Sequence, residues 1–228
     1  HTRDFSDDDM YEVIVTNPTH GGDEDKSVAG NVHSQYSTKD TTLLFLHRIT
    51  KQLKDDGRAS MIVPNGLLFD EKGVGRKIKE DLIKDFNLHT IVRLAGTTFS
   101  PLADVDMNVL FFDKTTSTSE INFYQMSVPE RVRGRGKNPK YSKTKPPEFD
   151  DFTEVLEWMK TRKKNPNAWT VKVDDIKEYN LDLHNPLDVE ETIDLTPHEL
   201  IAQIISDEKK TLDLLTDVEN LINTEIPK

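Results

Sequence analysis

The residues best suited to chemistry form a short turn near the start of the chain, Asn17-Pro18-Thr19-His20. The β-branched run Tyr11–Thr16 directly precedes this turn and predicts a buried strand. The Asn17 side chain and the Pro18 carbonyl are therefore expected at the carboxyl end of that strand, the edge at which open α/β sheets bind ligands. The competing interpretation is an ordinary Asn-Pro turn with no chemical role.

Apolar side chains at regular spacing predict the elements that must position this turn. A first helical stripe predicts a helix with Gly57 as its C-cap, and Met61–Val63 predicts the next strand. A second stripe predicts another helix, and three apolar runs predict further strands. The helical stripes are Leu43, Leu44, Leu46, His47, Thr50 and Leu53, and then Ile78, Leu82, Ile83 and Phe86; the later strands are His89–Leu94, Met107–Asp113 and Glu120–Gln125.

This order of elements predicts an α/β fold. Strands that alternate with helices form a parallel sheet through right-handed crossovers. The last two predicted strands, Met107–Asp113 and Glu120–Gln125, have no helix before them, so we expect them to add antiparallel partners.

A basic segment follows these strands. Residues 131–145 contain no acidic residue, and Gly134, Gly136 and Pro139 oppose a helix there, which predicts a loop. This loop is either a connector or a surface that contacts phosphate. Its basic residues are Arg131, Arg133, Arg135, Lys137, Lys140, Lys143 and Lys145.

The C-terminal part of the chain predicts a long amphipathic helix from Pro197 to about Asn223. Thr196 and Glu199 form a capping box, and Pro197 occupies the first helical position. Its apolar face either folds back on the domain or packs on a partner. That face consists of Leu200, Ile201, Ile204, Ile205, Leu212, Leu215, Val218, Leu221 and Ile222.

Composition limits the class of protein. The 228 residues can form one domain with an appendage, and 31% charged residues favour a soluble protein. A net charge of −11 argues against nonspecific coating of DNA, and the absence of cysteine is typical of the cytoplasm. Because no apolar run approaches the roughly 18–20 residues of a membrane span, we expect no membrane association.

Several segments together resemble the modification subunit of type I restriction–modification systems, adenine-specific DNA methyltransferases. The turn at Asn17 is similar to their Asn-Pro-Pro-aromatic signature, and Ala59–Phe69 resembles their strand ending in Val-Pro-Asn-Gly-Val-Leu. Four further segments follow in the family's order: Gly75–Lys79, Met107–Lys114, Ala168–Val171 and Ile176–Leu183. The resemblance covers roughly residues 10–185. It implies that residues 1–185 are the C-terminal part of the catalytic domain, and that 186–228 are a linker and a helix for core packing or subunit docking.

The resemblance implies the late half of a Rossmann-like methyltransferase sheet, with parallel strands, antiparallel edge strands and a C-terminal helical tail. It also implies methyl transfer from S-adenosylmethionine to the exocyclic amine of a flipped-out adenine. Asn17, Pro18, Thr19 and His20 would be catalytic, with Asn17 and Pro18 also touching the cofactor. DNA, a specificity subunit and a restriction subunit would be partners, and Arg131, Arg133, Arg135 and Lys137 would bind DNA. No metal site is expected.

The chain also departs from the family pattern. Thr19 replaces the second proline and His20 replaces the aromatic residue, so a catalytically degenerate DNA-binding or assembly module with the same fold is the alternative. The family's glycine-rich cofactor loop would lie before residue 10, and Gly73-Val74-Gly75 is expected to open a helix instead. We therefore expect these 228 residues alone to be inactive and to bind little S-adenosylmethionine.

Overall fold

A computed structural model describes residues 9–19, 21–23, 34–100, 105–132, 140–188 and 197–225. The chain divides into two compact units, residues 1–187 and 188–228, and each is described by itself. The predicted boundary at residue 185 lies close to this division. No helix in the described ranges is both long enough and apolar enough to cross a membrane.

The first unit contains a six-stranded sheet in the order β1-β2-β4-β3-β5-β6. The predicted α/β fold class is confirmed, since helices alternate with the first strands. The strands are β1 (Tyr11–Thr16), β2 (Leu53–Pro64), β3 (Asn87–Arg93), β4 (Met107–Asp113), β5 (Glu120–Gln125) and β6 (Ala168–Lys172). The helices of this unit are α1 (Thr41–Gln52), α2 (Asn65–Phe69), α3 (Gly73–Lys84) and α4 (Thr153–Thr161).

Strand pairing refines the prediction. β1 runs parallel to β2, and β3 runs parallel to β5. β4 is antiparallel, as predicted, but it lies between β2 and β3 rather than at an edge. Its side chains are apolar on both faces, which suits an internal position. β5 was also expected to pair antiparallel; it does so with β6, whereas its pairing with β3 on the other side is parallel.

Two apolar clusters cover the two faces of the sheet. On one face, α1 and α3 bury Leu46 and Leu82 against Met61, Leu110 and Phe112 of the central strands. On the other face, Val155 and Trp158 of α4 pack with Val92 and Tyr124. The central strands are therefore enclosed from both sides, as parallel α/β sheets generally are.

β1 differs from its prediction as a buried strand. Val13 is 51% exposed and Val15 is 78% exposed, whereas Ile14 packs against the core. Periodicity detects an apolar run but not the number of neighbours, and among the described strands β1 pairs only with β2. It is an exposed edge strand with apolar side chains on its open face.

The predicted C-cap at Gly57 is also wrong. α1 ends at Gln52, and Gly57 lies inside β2, where alternate residues such as Ala59, Met61 and Val63 are buried. A Cβ atom on Gly57 would lie 2.8 Å from the Lys54 carbonyl oxygen in the same strand and 3.1 Å from the Glu12 carbonyl oxygen of β1, and these close backbone atoms explain the glycine. Gly73-Val74-Gly75 does open a helix, as predicted.

The second unit contains one long helix, α5 (Pro197–Glu225). It begins at the predicted residue and ends two residues beyond Asn223. Most of the apolar side chains that the structure describes in this helix are at least half exposed: Ile201, Ile204, Ile205, Leu212, Leu214, Leu215 and Val218. Such a continuous apolar face is typical of a helix that packs on another surface.

Candidate functional site

The predicted catalytic turn lies where the sequence places it. β1 ends at Thr16, so Asn17 is the next residue and stands exposed at the carboxyl end of the strand. Pro18 is buried and Thr19 is exposed, whereas His20 lies outside the described residues. Thr16 is the register partner of Met61, so the turn stands beside the end of β2.

Thr41 holds the turn, and the sequence analysis did not identify it. Its hydroxyl group donates a hydrogen bond to the Thr19 carbonyl oxygen at 3.2 Å. Its backbone N–H donates to the Gly22 carbonyl oxygen at 3.1 Å. Asp40, the N-cap of α1, accepts a hydrogen bond from the Leu43 N–H at 3.1 Å and so fixes the start of the helix. The first turn of α1 therefore fastens the chain on both sides of position 20.

A second amide stands at the end of the neighbouring strand. Asn65 follows Pro64, the last residue of β2, and its N–H donates to the Asp106 carbonyl oxygen at 2.9 Å. The side-chain Nδ2 of Asn108 donates to Asn65 Oδ1 at 3.2 Å. Asn108 is only 2% exposed and lies in β4, with Val63 of β2 as its register partner. This contact joins residues that are 43 positions apart.

Two buried basic side chains, Arg93 and Lys79, hold neighbouring parts of the chain in place. Arg93, at the end of β3, forms an ion pair with Asp182 at 2.7 Å and donates to the Leu183 carbonyl oxygen at 3.0 Å. Lys79 of α3 is buried and donates to the Leu68 carbonyl oxygen at 2.6 Å, which holds the C-terminal end of α2. Burial lowers the pKa of Lys79 to about 8.

The basic segment is described only in part. Arg131 forms ion pairs with Asp151 and Glu148, the latter at 3.1 Å, and donates to the Pro146 carbonyl oxygen at 2.9 Å. The hydrogen bond from Arg131 lowers the pKa of the Asp151 carboxyl group. Arg133, Arg135 and Lys137 lie outside the described residues. Contact between Arg131 and a phosphate group would therefore have to compete with three acceptors within the protein.

Only part of a cofactor site is suggested by the described residues. The Gly-x-Gly motif at Gly73–Gly75 belongs to α3, and a Cβ atom on Gly75 would lie 2.1 Å from Asp70 Oδ2. Gly75 is thus explained by packing against Asp70. The residues suitably placed at the carboxyl edge for a ligand are Asn17, Pro18 and Asn65, which offer amide and carbonyl groups.

Comparisons with known proteins identify the family of this chain. The sequence model of the family described as N-6 DNA methylase matches residues 1–194. The chain belongs to the N-6 DNA methylase family. Among curated relatives, the methylase subunit of the type I restriction enzyme EcoEI from Escherichia coli is 37% identical, over 96% of this chain and 45% of that protein. The StySJI methylase subunit from Salmonella typhimurium is 37% identical over 47% of this chain and 20% of that protein.

Solved structures give the same result for this member of the N-6 DNA methylase family. A modification subunit of a type I restriction enzyme from Vibrio vulnificus has a TM-score of 0.75 and 41% identity, over 83% of this chain and 41% of that one. A type I restriction–modification structure that addresses complex assembly has a TM-score of 0.70 and 32% identity, over 96% of this chain and 46% of that one. The predicted family resemblance is confirmed, and the chain spans less than half the length of these relatives.

Proposed function

We propose that this chain is part of a subunit that transfers a methyl group from S-adenosylmethionine to the exocyclic amine of adenine in DNA. The observation that carries the proposal is the position of Asn17 and Pro18 directly after β1, in a chain of the N-6 DNA methylase family. The carboxyl end of such a strand is the general ligand-binding edge of an open α/β sheet.

The chemistry requires activation of a weak nucleophile. The lone pair of the adenine amine is delocalised into the ring, so the nitrogen must move toward tetrahedral geometry before it reacts. Asn17 Oδ1 and the Pro18 carbonyl oxygen would each accept one amine hydrogen, which favours that geometry without prior removal of a proton. Thr41 supports this arrangement, because it holds the next carbonyl group, that of Thr19, at 3.2 Å.

S-adenosylmethionine, when bound, supplies an electrophilic methyl group. We assign Asn17 and Pro18 the contacts closest to that methyl group. The target base must leave the duplex before it can reach them, and a ring at position 20 would stack on the flipped base. His20 and Thr19 are included in the site as positional counterparts of the family signature.

DNA and other subunits are the proposed partners. Relatives are methylase subunits of type I restriction enzymes, which supports assembly with a DNA-specificity subunit and a restriction subunit.

The basic residues Arg133, Arg135 and Lys137 would contact phosphate groups of the DNA. Replacing all three should make DNA binding less dependent on salt concentration, by about 0.9 units of the logarithmic slope per lost contact. Arg131 is better placed to hold the base of this loop through Asp151.

α5 is proposed to dock the chain within that complex. Its exposed apolar face includes Ile201, Ile205, Leu212 and Leu215, at the spacing of helix anchors. Deleting residues 197–228 should leave the first unit folded but unable to join its complex. Loss of cooperative melting in this variant would instead show that α5 belongs to the core.

The reaction class can be tested by identifying the product. The complete enzyme should be incubated with DNA and isotopically labelled S-adenosylmethionine, and the DNA digested to nucleosides for mass spectrometry. The proposal predicts label only in N6-methyl-2′-deoxyadenosine. Label in methylated cytosine, or no label with a correctly assembled enzyme, would contradict it, and the second result would favour the assembly-module alternative.

A further inference from the structure

The proposed role of Asn17 leaves the neighbouring motif Val63-Pro64-Asn65-Gly66 without a function. Asn65 stands at the end of β2, next to the strand that carries Asn17. A turn after a strand needs no asparagine side chain. The turn alone therefore does not explain the hydrogen bond between the side chains of Asn108 and Asn65.

Asn108 occupies an unusual position for a polar residue. It lies within the apolar run Met107–Phe112 of β4, in the centre of the sheet, and is 2% exposed. A buried amide destabilises a fold unless it is hydrogen-bonded, and Asn108 Nδ2 donates to Asn65 Oδ1. Because Asn65 Oδ1 is engaged from the sheet side, the Nδ2 group of Asn65 is directed away from Asn108.

The backbone of Asn65 is fixed as well. Its N–H bonds to the Asp106 carbonyl oxygen at 2.9 Å, so the chain that leads into β4 holds it directly. Two donors, Lys79 Nζ and the Leu181 N–H, converge on the Leu68 carbonyl oxygen at the other end of α2. The amide of Asn65 is thus a hydrogen-bond donor held in a rigid frame at the ligand-binding edge.

We propose that Asn65 Nδ2 donates a hydrogen bond to the ring nitrogen N1 of the flipped target adenine, with Asn108 as the positioning residue. This inference rests on the proposed function. The edge of adenine that carries the amine presents two donor hydrogens and, directly beside them, the acceptor N1. Asn17 and Pro18 supply acceptors only for the amine, so the edge is fully matched when a donor faces N1.

This contact serves recognition of the base. Guanine carries a proton on N1 and an oxygen in place of the amine, so it would meet a donor at N1 and two acceptors at its O6. Donation to N1 does not increase the nucleophilicity of the amine. We therefore expect Asn65→Ala to lower kcat/KM about tenfold, chiefly through binding of the flipped base, the size of effect expected for one hydrogen bond.

A chemical double-mutant cycle tests the contact in the complete enzyme. DNA with adenine at the target position is compared with DNA carrying 1-deazaadenine, which keeps the amine but replaces N1 by C–H. Wild-type enzyme and Asn65→Ala are assayed on both. The tenfold loss caused by Asn65→Ala should shrink to less than about twofold on 1-deazaadenine.

Asn65→Asp provides a sharper variant. The aspartate still offers an oxygen to Asn108 Nδ2, so the bond that positions residue 65 is kept. It has no donor for N1 and instead presents a second acceptor to that acceptor. The matched control is Gln52→Glu, the same amide-to-carboxylate change at the last residue of α1, directly before β2. There the side-chain oxygen accepts from Arg48 Nε at 2.9 Å and Nε2 donates to the Asp9 carbonyl oxygen at 3.1 Å, so the control also loses an amide donor while it keeps an oxygen acceptor. Asn65→Asp should lose more activity on adenine than Asn65→Ala, and Gln52→Glu should stay within twofold of wild type.

These experiments distinguish a failure of the Asn65 contact from a failure of the proposed function. If the wild-type enzyme does not methylate adenine, the proposed function is wrong and the inference falls with it. If adenine is methylated but Asn65→Ala loses the same factor on both substrates, Asn65 does not contact N1. Equal activity of Asn65→Asp and wild type would also overturn the inference.

Discussion

The two strands that lead into the candidate site, β1 and β2, are held in very different ways. β1 has one described neighbour and leaves Val13 and Val15 exposed, and its turn is fastened from outside by Thr41. β2 lies between β1 and β4, and its residues Met61 and Val63 are fully buried.

This difference separates two ways of placing a functional amide. Asn65 is positioned by the core itself, through Asn108 and the frame around α2. Asn17 depends on the start of α1, through the bond from Thr41 to the Thr19 carbonyl oxygen. Exposed apolar edge strands are typical of surfaces that become covered in an assembly. We therefore expect substitutions in the central strands to affect folding, and substitutions around β1 to affect activity.

The largest expected effect is on the free energy of unfolding. Phe112 of β4 is fully buried and meets Phe86 edge to face, with ring centroids 5.9 Å apart. Phe112→Ala should cost about 3–5 kcal/mol because it leaves a cavity. Val15→Ala should change stability by less than about 0.5 kcal/mol, since that side chain is already in solvent. Urea denaturation measures the free energy of unfolding of both variants. Similar losses in the two would contradict the proposed difference between the central strands and β1.

Lys79 gives a smaller effect that depends on pH. Its pKa in the folded protein is about 8, below the ordinary value, so the unfolded chain binds more protons between about pH 8 and 10.5. Stability should therefore rise with pH across this window, by about 3 kcal/mol at most.

The pH effect is best measured as a difference between variants. Wild type and Lys79→Met are compared by urea denaturation at pH 7.5 and 9.5, so that the contributions of all other titrating groups are common to both proteins and cancel in the difference. The wild-type gain on raising the pH should be largely absent in Lys79→Met. An equal gain in both proteins would show that Lys79 is not the source.

Thr41 should affect activity with little effect on folding. Thr41→Val keeps the shape of the side chain but removes the hydroxyl group that holds the Thr19 carbonyl. The rate of methyl transfer should fall about fivefold, because one hydrogen bond of roughly 1 kcal/mol positions the turn. Thr41→Ser, which keeps the hydroxyl group, should recover most of the rate. Failure of serine to do better than valine would contradict the positioning role.

The sequence predicted the parts of the fold that depend on local patterns. Apolar runs located β3, β4, β5 and the last part of β2, and the turn after β1 was found from Asn17 and Pro18, which follow the run Tyr11–Thr16. Burial of β1 was predicted wrongly because a run of residues does not reveal how many strands will flank it. Gly57 was assigned to a helix end because its close approach to the Glu12 carbonyl oxygen arises only once β1 and β2 pair.

Asn108 and Thr41 were missed for the same reason, because their contacts join residues that are far apart in the sequence. The bond from Asn108 to Asn65 spans 43 positions and the bond from Thr41 to Thr19 spans 22. No local spacing encodes such contacts. One signal was available for Asn108, since an asparagine within the apolar run Met107–Phe112 is out of place unless its amide is bonded.

The central claim is that Asn17 binds the amine of the target adenine, and single-turnover methyl transfer by Asn17→Ala tests it most directly. The complete enzyme is saturated with DNA and S-adenosylmethionine, and cofactor binding is measured separately by calorimetry. The account predicts that the rate constant falls by about 10²–10³, as for loss of one electrostatic contact to a reacting group, while cofactor affinity stays nearly unchanged. A variant that keeps more than a tenth of the wild-type rate would contradict it.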